Sequence, residues 1–223
     1  MSIHAVLFDL DGTLLDTADD LGRALNFVLQ EKSMPTCHPE HYRTSASHGS
    51  KAMLNLGFGE HIERHDFEEL KSLFLDFYLN NICHHTCFFP GVEELLYTLT
   101  ENDIPWGVVT NKPAYLTEKL LPHFDLFKHS KVNISGDTLT KAKPHPEPLL
   151  FALKHIKVAP ENTLYVGDAE RDIKAAKAAN MPSVLAAYGY ISEQDDTESW
   201  QADFIIDNAL DVLSTIKHKT TTS

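Results

Sequence analysis

Short apolar runs alternate with stretches in which apolar residues recur every three to four positions, and these two patterns divide the chain. An opening run, Ile3-His4-Ala5-Val6-Leu7-Phe8, reads as a strand at 3–8, and later runs at 105–110, 131–134, 163–167, 183–186 and 203–206 read the same way. Helical spacing fills the intervals near 91–102, 114–122, 146–156, 169–179 and 208–216. Such an alternation predicts an α/β fold: a parallel sheet with helices on both faces.

Residues 16–87 break the alternation. No convincing strand occurs there, and Leu21, Leu25, Val28 and Leu29, then Leu70, Leu73, Phe74, Phe77 and Tyr78, recur at helical spacing. The segment begins just after the first strand and ends near Phe89-Pro90-Gly91, a turn signal before a new helix. It reads as a helical insert able to pack over the end of the sheet as a cap. The expected division is a catalytic core of 1–15 and 88–223 and a helical cap of 16–87. The tail from Lys217 to Ser223 is polar and expected to fray.

Composition narrows the class. A chain of 223 residues with 43% hydrophobic content has enough apolar material for one substantial core and a smaller second unit. Its apolar runs are too short to span a bilayer, and its start lacks the succession of a signal peptide, so a soluble, cytoplasmic protein is expected. Three cysteines, Cys37, Cys83 and Cys87, form no disulfide framework and suit a reducing compartment. The net charge of −13, with no Lys/Arg cluster, disfavours nucleic acid as a partner. It leaves room for a small phosphate ligand, because one lysine and a metal make a local positive site inside a negative envelope.

The chemistry gathers at the carboxyl ends of the expected strands, where open α/β sheets bind ligands. Asp9 and Asp11 follow the first strand, Thr110 and Asn111 the second, Lys143 stands before Pro144, and Gly167-Asp168-Ala169-Glu170-Arg171-Asp172 follows the fourth. Two carboxylates as close as Asp9 and Asp11 repel, so a fold tolerates them where a cation, a shared proton or solvent relieves the repulsion. Asp9 is the candidate nucleophile, since a carboxylate ionised at neutral pH can attack phosphorus covalently. Mg²⁺ favours oxygen ligands, which Asp9, Asp168 and the backbone carbonyl of Asp11 supply. Lys143, the Thr110 hydroxyl and backbone N–H groups near Asp11 and Gly12 are expected to bind the phosphoryl oxygens. Asp11 is placed to give a proton to the leaving alcohol and later to activate water, and Gly12 allows the sharp turn that brings it there.

Together, Asp9-Leu10-Asp11-Gly12-Thr13, Thr110-Asn111-Lys112, Lys143-Pro144 and Gly167-Asp168-Ala169-Glu170-Arg171-Asp172 resemble the four motifs of the haloacid dehalogenase superfamily, in order and across nearly the whole chain. The resemblance implies a Rossmann-like, doubly wound parallel-sheet core, an inserted α-helical cap, obligatory Mg²⁺ and an aspartyl-phosphate intermediate. It carries over Asp9 as nucleophile, Asp11 as acid/base, Thr110 and Lys143 as phosphate ligands, Asp168 as metal ligand and Asp172 in support. Asp11 points to phosphate esters, because dehalogenases lack that second acid. The chain also resembles the phosphoglycolate phosphatase group. Its runs Trp106-Gly107-Val108-Val109-Thr110-Asn111-Lys112-Pro113 and Tyr188-Gly189-Tyr190-Ile191 are similar to those of bacterial N-acetylmuramic acid 6-phosphate phosphatases.

Other readings stand beside these. Asn111 can cap the following helix as well as bind substrate, and Asp16 and Thr17 read first as a helix cap at the entry to the insert. Ser47-His48-Gly49-Ser50-Lys51 is the best specificity loop: Gly49 lets backbone approach a ligand, His48 flanks it, and Lys51 can meet a second polar group on the substrate; an exposed helix start explains the same residues. Cys83-His84-His85-Thr86-Cys87 offers zinc-ligand chemistry but lacks a second ligand pair in a zinc-like pattern. A sugar phosphomutase of the β-phosphoglucomutase type would use much the same core and cap. A phosphate-binding or receiver-like regulator shares the acidic cluster, but receivers have no large helical insert.

Overall fold

The computed structural model describes residues 2–220, and the last three residues of the polar tail, Thr221, Thr222 and Ser223, lie outside them. The chain divides into two compact units, Met1–Leu15 with Phe88–Ser223, and Asp16–Cys87.

The first unit is built on six parallel strands: β1 (Ala5–Phe8), β2 (Trp106–Val109), β3 (Asn133–Ile134), β4 (Thr163–Gly167), β5 (Ser183–Ala186) and β6 (Phe204–Ile206). Their order across the sheet is β3-β2-β1-β4-β5-β6, every neighbour parallel. The chain fills one side of β1 first and then crosses to the other, so the strand order reverses between β1 and β4, the position at which open α/β sheets form a ligand crevice. All residues of β1, β2, β4 and β5 are buried, as continuous apolar strands require when helices cover both faces.

Alternation sorts the side chains. Leu7, Val109, Ile134 and Tyr165 face one way, packed with Leu149, Ala152 and Leu153 of helix Glu147–Ile156 and Ala175 and Ala176 of helix Glu170–Ala178. On the other face Trp106 donates its indole N–H to Thr100 of helix Val92–Glu101 at 3.1 Å and packs edge-on against Phe127. Each such buried side chain contributes about 1.5–3 kcal/mol of burial free energy, which is why the strand runs were visible as apolar blocks.

The expected elements are present with shifted ends. The third strand is two residues long, although Lys131 N–H still reaches the Trp106 carbonyl at 2.8 Å. The last helix begins at Asp211 instead of 208, because Asn208 forms a turn whose side chain accepts Leu210 N–H at 2.9 Å, and it runs through Thr220 into the segment expected to fray.

The second unit is helical, with helices Ala18–Glu31, Pro39–Tyr42, Gly49–Phe58 and Phe67–Asn80 and two 3-10 turns. Two-residue strands, Leu15–Asp16 and Cys87–Phe88, lie where the chain passes from one unit to the other. Leu21, Leu25, Val28 and Leu29 are buried with Leu70, Phe74 and Tyr78, the i, i+4, i+8 stripe of the last helix. Gly22 leaves room for Tyr42, whose Cζ would lie 2.1 Å from an added Cβ. The expected entry cap is divided: Thr17 occupies the N-cap position without a side-chain capping bond, while Asp16 accepts Ala18 N–H at 3.4 Å and pairs with Arg43. In the Cys83–Cys87 stretch the backbone is held by Asp20, which accepts His85 N–H and the Thr86 N–H and hydroxyl at 2.7–3.1 Å. Among the described residues no helix is long and apolar enough to cross a membrane.

Candidate active site

Phe8 is level with Val108 and Val166 on the neighbouring strands, so the residues just beyond, Asp9, Thr110 and Asp168, emerge together at one end of the sheet. Sheet hydrogen bonds continue past the strands: Asp9 N–H reaches the Val166 carbonyl at 2.8 Å and Thr110 N–H the Ile134 carbonyl at 2.9 Å. The functional side chains therefore start from a backbone fixed by the ladder.

The Asp9 side chain is 2% exposed. Its Oδ1 accepts Leu10 N–H at 2.7 Å and lies 2.9 Å from Lys143 Nζ, and its Oδ2 lies 3.4 Å from Arg171 Nη2. Burial pushes its pKa up, but Lys143 and Arg171 outweigh burial and hold it below the ordinary aspartate value. Asp9 is thus ionised at neutral pH.

Lys143 has a fully buried side chain whose ammonium donates to three acceptors: Asp9 Oδ1 at 2.9 Å, Asp172 Oδ1 at 2.8 Å and the Tyr165 hydroxyl oxygen at 2.8 Å. The Tyr165 hydroxyl in turn donates to the Val109 carbonyl at 2.9 Å. The Lys143 backbone is held by Asn111, whose amide donates to the Lys143 carbonyl at 2.9 Å and accepts its N–H at 3.0 Å. Asn111 is therefore occupied with the lysine loop and does not cap the next helix. That helix, Ala114–Leu120, starts after Pro113, and Asp137 takes the Ala114 N–H at 2.8 Å. The Thr110 hydroxyl oxygen accepts Lys112 N–H at 3.1 Å, which leaves its O–H as a donor.

Asp168 is held on both oxygens, by the Thr13 hydroxyl at 3.3 Å and by Tyr190 N–H at 3.0 Å. Gly12 is required here twice: its φ is +87°, and an added Cβ would lie 2.1 Å from Asp168 Oδ2. The Gly12 N–H itself donates to the Leu15 carbonyl at 3.0 Å, so the residue serves the site by turn and space and its N–H stays within the turn. Burial, then Asp172 and Asp9, push the Asp168 carboxyl up to about 7. Asp172 accepts Ala169 N–H at 3.1 Å at the start of helix Glu170–Ala178, and burial raises its pKa against the pull of Lys143.

Carboxylate oxygens of Asp9, Asp168 and Asp172 lie within 4.8 Å of one another, all buried. Asp11, on the turn after β1, is not one of these three; its Oδ1 lies 3.0 Å from Lys112 Nζ. Lys143 and Arg171 lie against Asp9, Lys143 also against Asp172, and Lys112 against Asp11. An all-oxygen donor set of three buried carboxylates, one of which resists ionisation on its own, fits a hard divalent cation such as Mg²⁺.

The core positions singled out in the sequence, Asp9, Asp11, Gly12, Thr110, Asn111, Lys143, Asp168 and Asp172, all stand on the loops described above, and three of them, Asp9, Asp168 and Asp172, form the carboxylate group. The cap candidates lie on the second unit: His48 and Lys51 are exposed, and Gly49, at φ +74°, has open space where a Cβ would stand. That glycine answers to the backbone turn between the 3-10 segment Arg43–His48 and helix Gly49–Phe58. Sequence reasoning gave no role to Thr13, Lys112, Tyr165 or Arg171. Lys112 and Arg171 stand inside the motifs, which was the available signal, but nothing in a loop sequence separates a buried lysine from a solvated one.

A family described as haloacid dehalogenase-like hydrolase matches residues 6–186. A phosphoglycolate phosphatase of Xanthomonas campestris pv. campestris is 45% identical over 92% of this chain and 92% of its own length. An N-acetylmuramic acid 6-phosphate phosphatase of Pseudomonas putida is 36% identical over 97% of each chain. Among solved structures, that of a predicted phosphoglycolate phosphatase from Haemophilus somnus superposes with a TM-score of 0.86 at 26% identity, covering 96% of this chain and 98% of the other. By the match of its motifs, its fold and most of its length, the chain belongs to the haloacid dehalogenase-like hydrolase family.

Proposed function

We propose that this chain is a Mg²⁺-dependent phosphatase that hydrolyses a small phosphate monoester in the cytoplasm through an aspartyl-phosphate on Asp9. The observation that carries the reading is the state of Asp9: a buried carboxylate kept ionised by Lys143 and Arg171 and grouped with Asp168 and Asp172. Asp9, Asp168 and the Asp11 carbonyl would hold the cation, with Asp172 in support. When bound, Mg²⁺ neutralises charge on the phosphoryl oxygens and on the acid cluster. Lys143 and the Thr110 O–H orient the phosphoryl group, Asp9 attacks phosphorus, and Asp11 protonates the leaving alcohol and then accepts a proton from the hydrolytic water. Asn111 and Tyr165 fix the lysine from its backbone and its ammonium respectively.

The names of the relatives support phosphoglycolate or a sugar phosphate such as N-acetylmuramic acid 6-phosphate as substrate. Selectivity is assigned to His48, Gly49 and Lys51 of the helical unit, with Lys51 meeting a second anionic or polar group. The test is phosphate release with Mg²⁺, and with chelator as control, across phosphoglycolate, N-acetylmuramic acid 6-phosphate, hexose phosphates and nucleotides. Metal-dependent release with one preferred substrate supports the reading. An isomerised sugar phosphate without free phosphate would replace it with a mutase.

A further inference from the structure

Lys112 has no part in the chemistry above, yet its ammonium lies 3.0 Å from Asp11 Oδ1, with the two side chains 5% and 14% exposed. The pairing follows from the sheet. Asp11 and Lys112 sit on the loops leaving β1 and β2, adjacent parallel strands with Phe8 level with Val108. Lys112 also starts from a fixed backbone, since its N–H donates to the Thr110 hydroxyl at 3.1 Å and its carbonyl accepts Gly136 N–H at 2.9 Å. Gly136 can take that place only as glycine, because an added Cβ would lie 2.2 Å from the Asn111 carbonyl oxygen. An aspartate on a turn has several staggered rotamers open to it, those that face solvent included. A cation on a fixed stem selects among them.

We propose that Lys112 is a positioning residue for proton transfer, holding the Asp11 carboxyl group where it serves both half-reactions. The inference rests on the phosphatase reading. In the first half-reaction an Asp9 oxygen bonds to phosphorus, the bond from phosphorus to the alkyl oxygen breaks with its electron pair on that oxygen, and Asp11 supplies the proton. In the second, a water oxygen bonds to phosphorus, its proton passes to the Asp11 carboxylate, and the Asp9–phosphorus link breaks. Lys112 exchanges no proton in either step.

The test compares Lys112→Met and Lys112→Arg on two substrates, an alkyl phosphate the wild type hydrolyses and 2,4-dinitrophenyl phosphate, whose leaving group departs without a proton. First-turnover release of the alcohol is followed. Lys112→Met should slow the alkyl phosphate by ~10- to 100-fold while changing dinitrophenolate release by less than ~3-fold, with KM near wild type. Lys112→Arg should regain most of the rate. In an Asp11→Asn background Lys112→Met should cost nothing further. Equal slowing of both substrates, or an undiminished Lys112→Met effect in the Asp11→Asn protein, would overturn the proposal. Circular dichroism identifies a misfolded Met variant, and Lys112→Gln then carries the same comparison. A wild type that releases phosphate from neither substrate would instead remove the phosphatase reading itself.

Discussion

Replacing Asp168 with asparagine separates the electrostatic cost of the acid cluster from everything else that titrates in the protein. In the metal-free chain burial, Asp172 and Asp9 raise the Asp168 pKa from 3.8 to about 7. At about 1.4 kcal/mol per pKa unit, forcing it to ionise costs the folded state about 4 kcal/mol. The folded protein holds this proton between roughly pH 4 and pH 7 while the unfolded chain has already lost it, so stability falls as pH rises through that window and levels off above it. Asp172, also raised, adds in the same direction, whereas Asp9, lowered, loses its contribution only at more acid pH. Asparagine can keep both bonds of the site, taking Tyr190 N–H on its oxygen and donating to the Thr13 hydroxyl oxygen. Thermal unfolding in chelator at pH 5, 6, 7 and 8, for wild type and Asp168→Asn, measures the effect, and their difference cancels the histidines. The wild type should lose stability relative to the variant by about 2.6 kcal/mol between pH 5 and pH 8, the part of the window that lies above pH 5, or about 5–10 °C in Tm for a chain of this size. Mg²⁺ should restore the wild type at pH 8 and leave the variant unmoved. Parallel pH profiles for the two proteins would refute the reasoning.

Two further substitutions probe the scaffold of the site. Gly12→Ala places a methyl 2.1 Å from Asp168 Oδ2 on a backbone of φ +87°, so Mg²⁺ binding by calorimetry should weaken at least ~10-fold, and unchanged affinity would show that the turn yields. Asn111→Ala removes both amide bonds to the Lys143 backbone, so kcat should fall ~10- to 100-fold with KM little changed; wild-type kcat would show that Lys143 is placed by its ammonium contacts alone.

The sheet was legible because a strand covered by helices on both faces must be a continuous apolar run, and β1, β2, β4 and β5 are buried at every residue. The acids were legible because Asp9, Asp11, Asp168 and Asp172 fall in short motifs that follow strands in one order with Thr110 and Lys143, whereas Asp9 and Asp11 alone could be solvated acids on a turn. Side-chain wiring was less so. Asn111 looked like a helix cap by its place before an amphipathic run, but its partners are 32 residues away, on the Lys143 backbone. Thr13 and Tyr165 carry hydroxyls in otherwise apolar surroundings, and only the fold brings Asp168 and Lys143 within their reach. Gly12 was assigned partly for an N–H that the turn consumes internally, at the Leu15 carbonyl. For the long-range pairs the sequence shows one partner and conceals the other, because their meeting depends on register between strands.

The central claim is the covalent role of Asp9. Rapid acid quench during turnover of the preferred substrate, followed by peptide mass spectrometry, tests it most directly. The account predicts a phosphorylated peptide with the added phosphate on Asp9, and an Asp9→Asn protein that folds, shows no such peptide and has no turnover. Sustained phosphate release by the Asp9→Asn protein, or a phosphorylated residue elsewhere in the wild type, would contradict it.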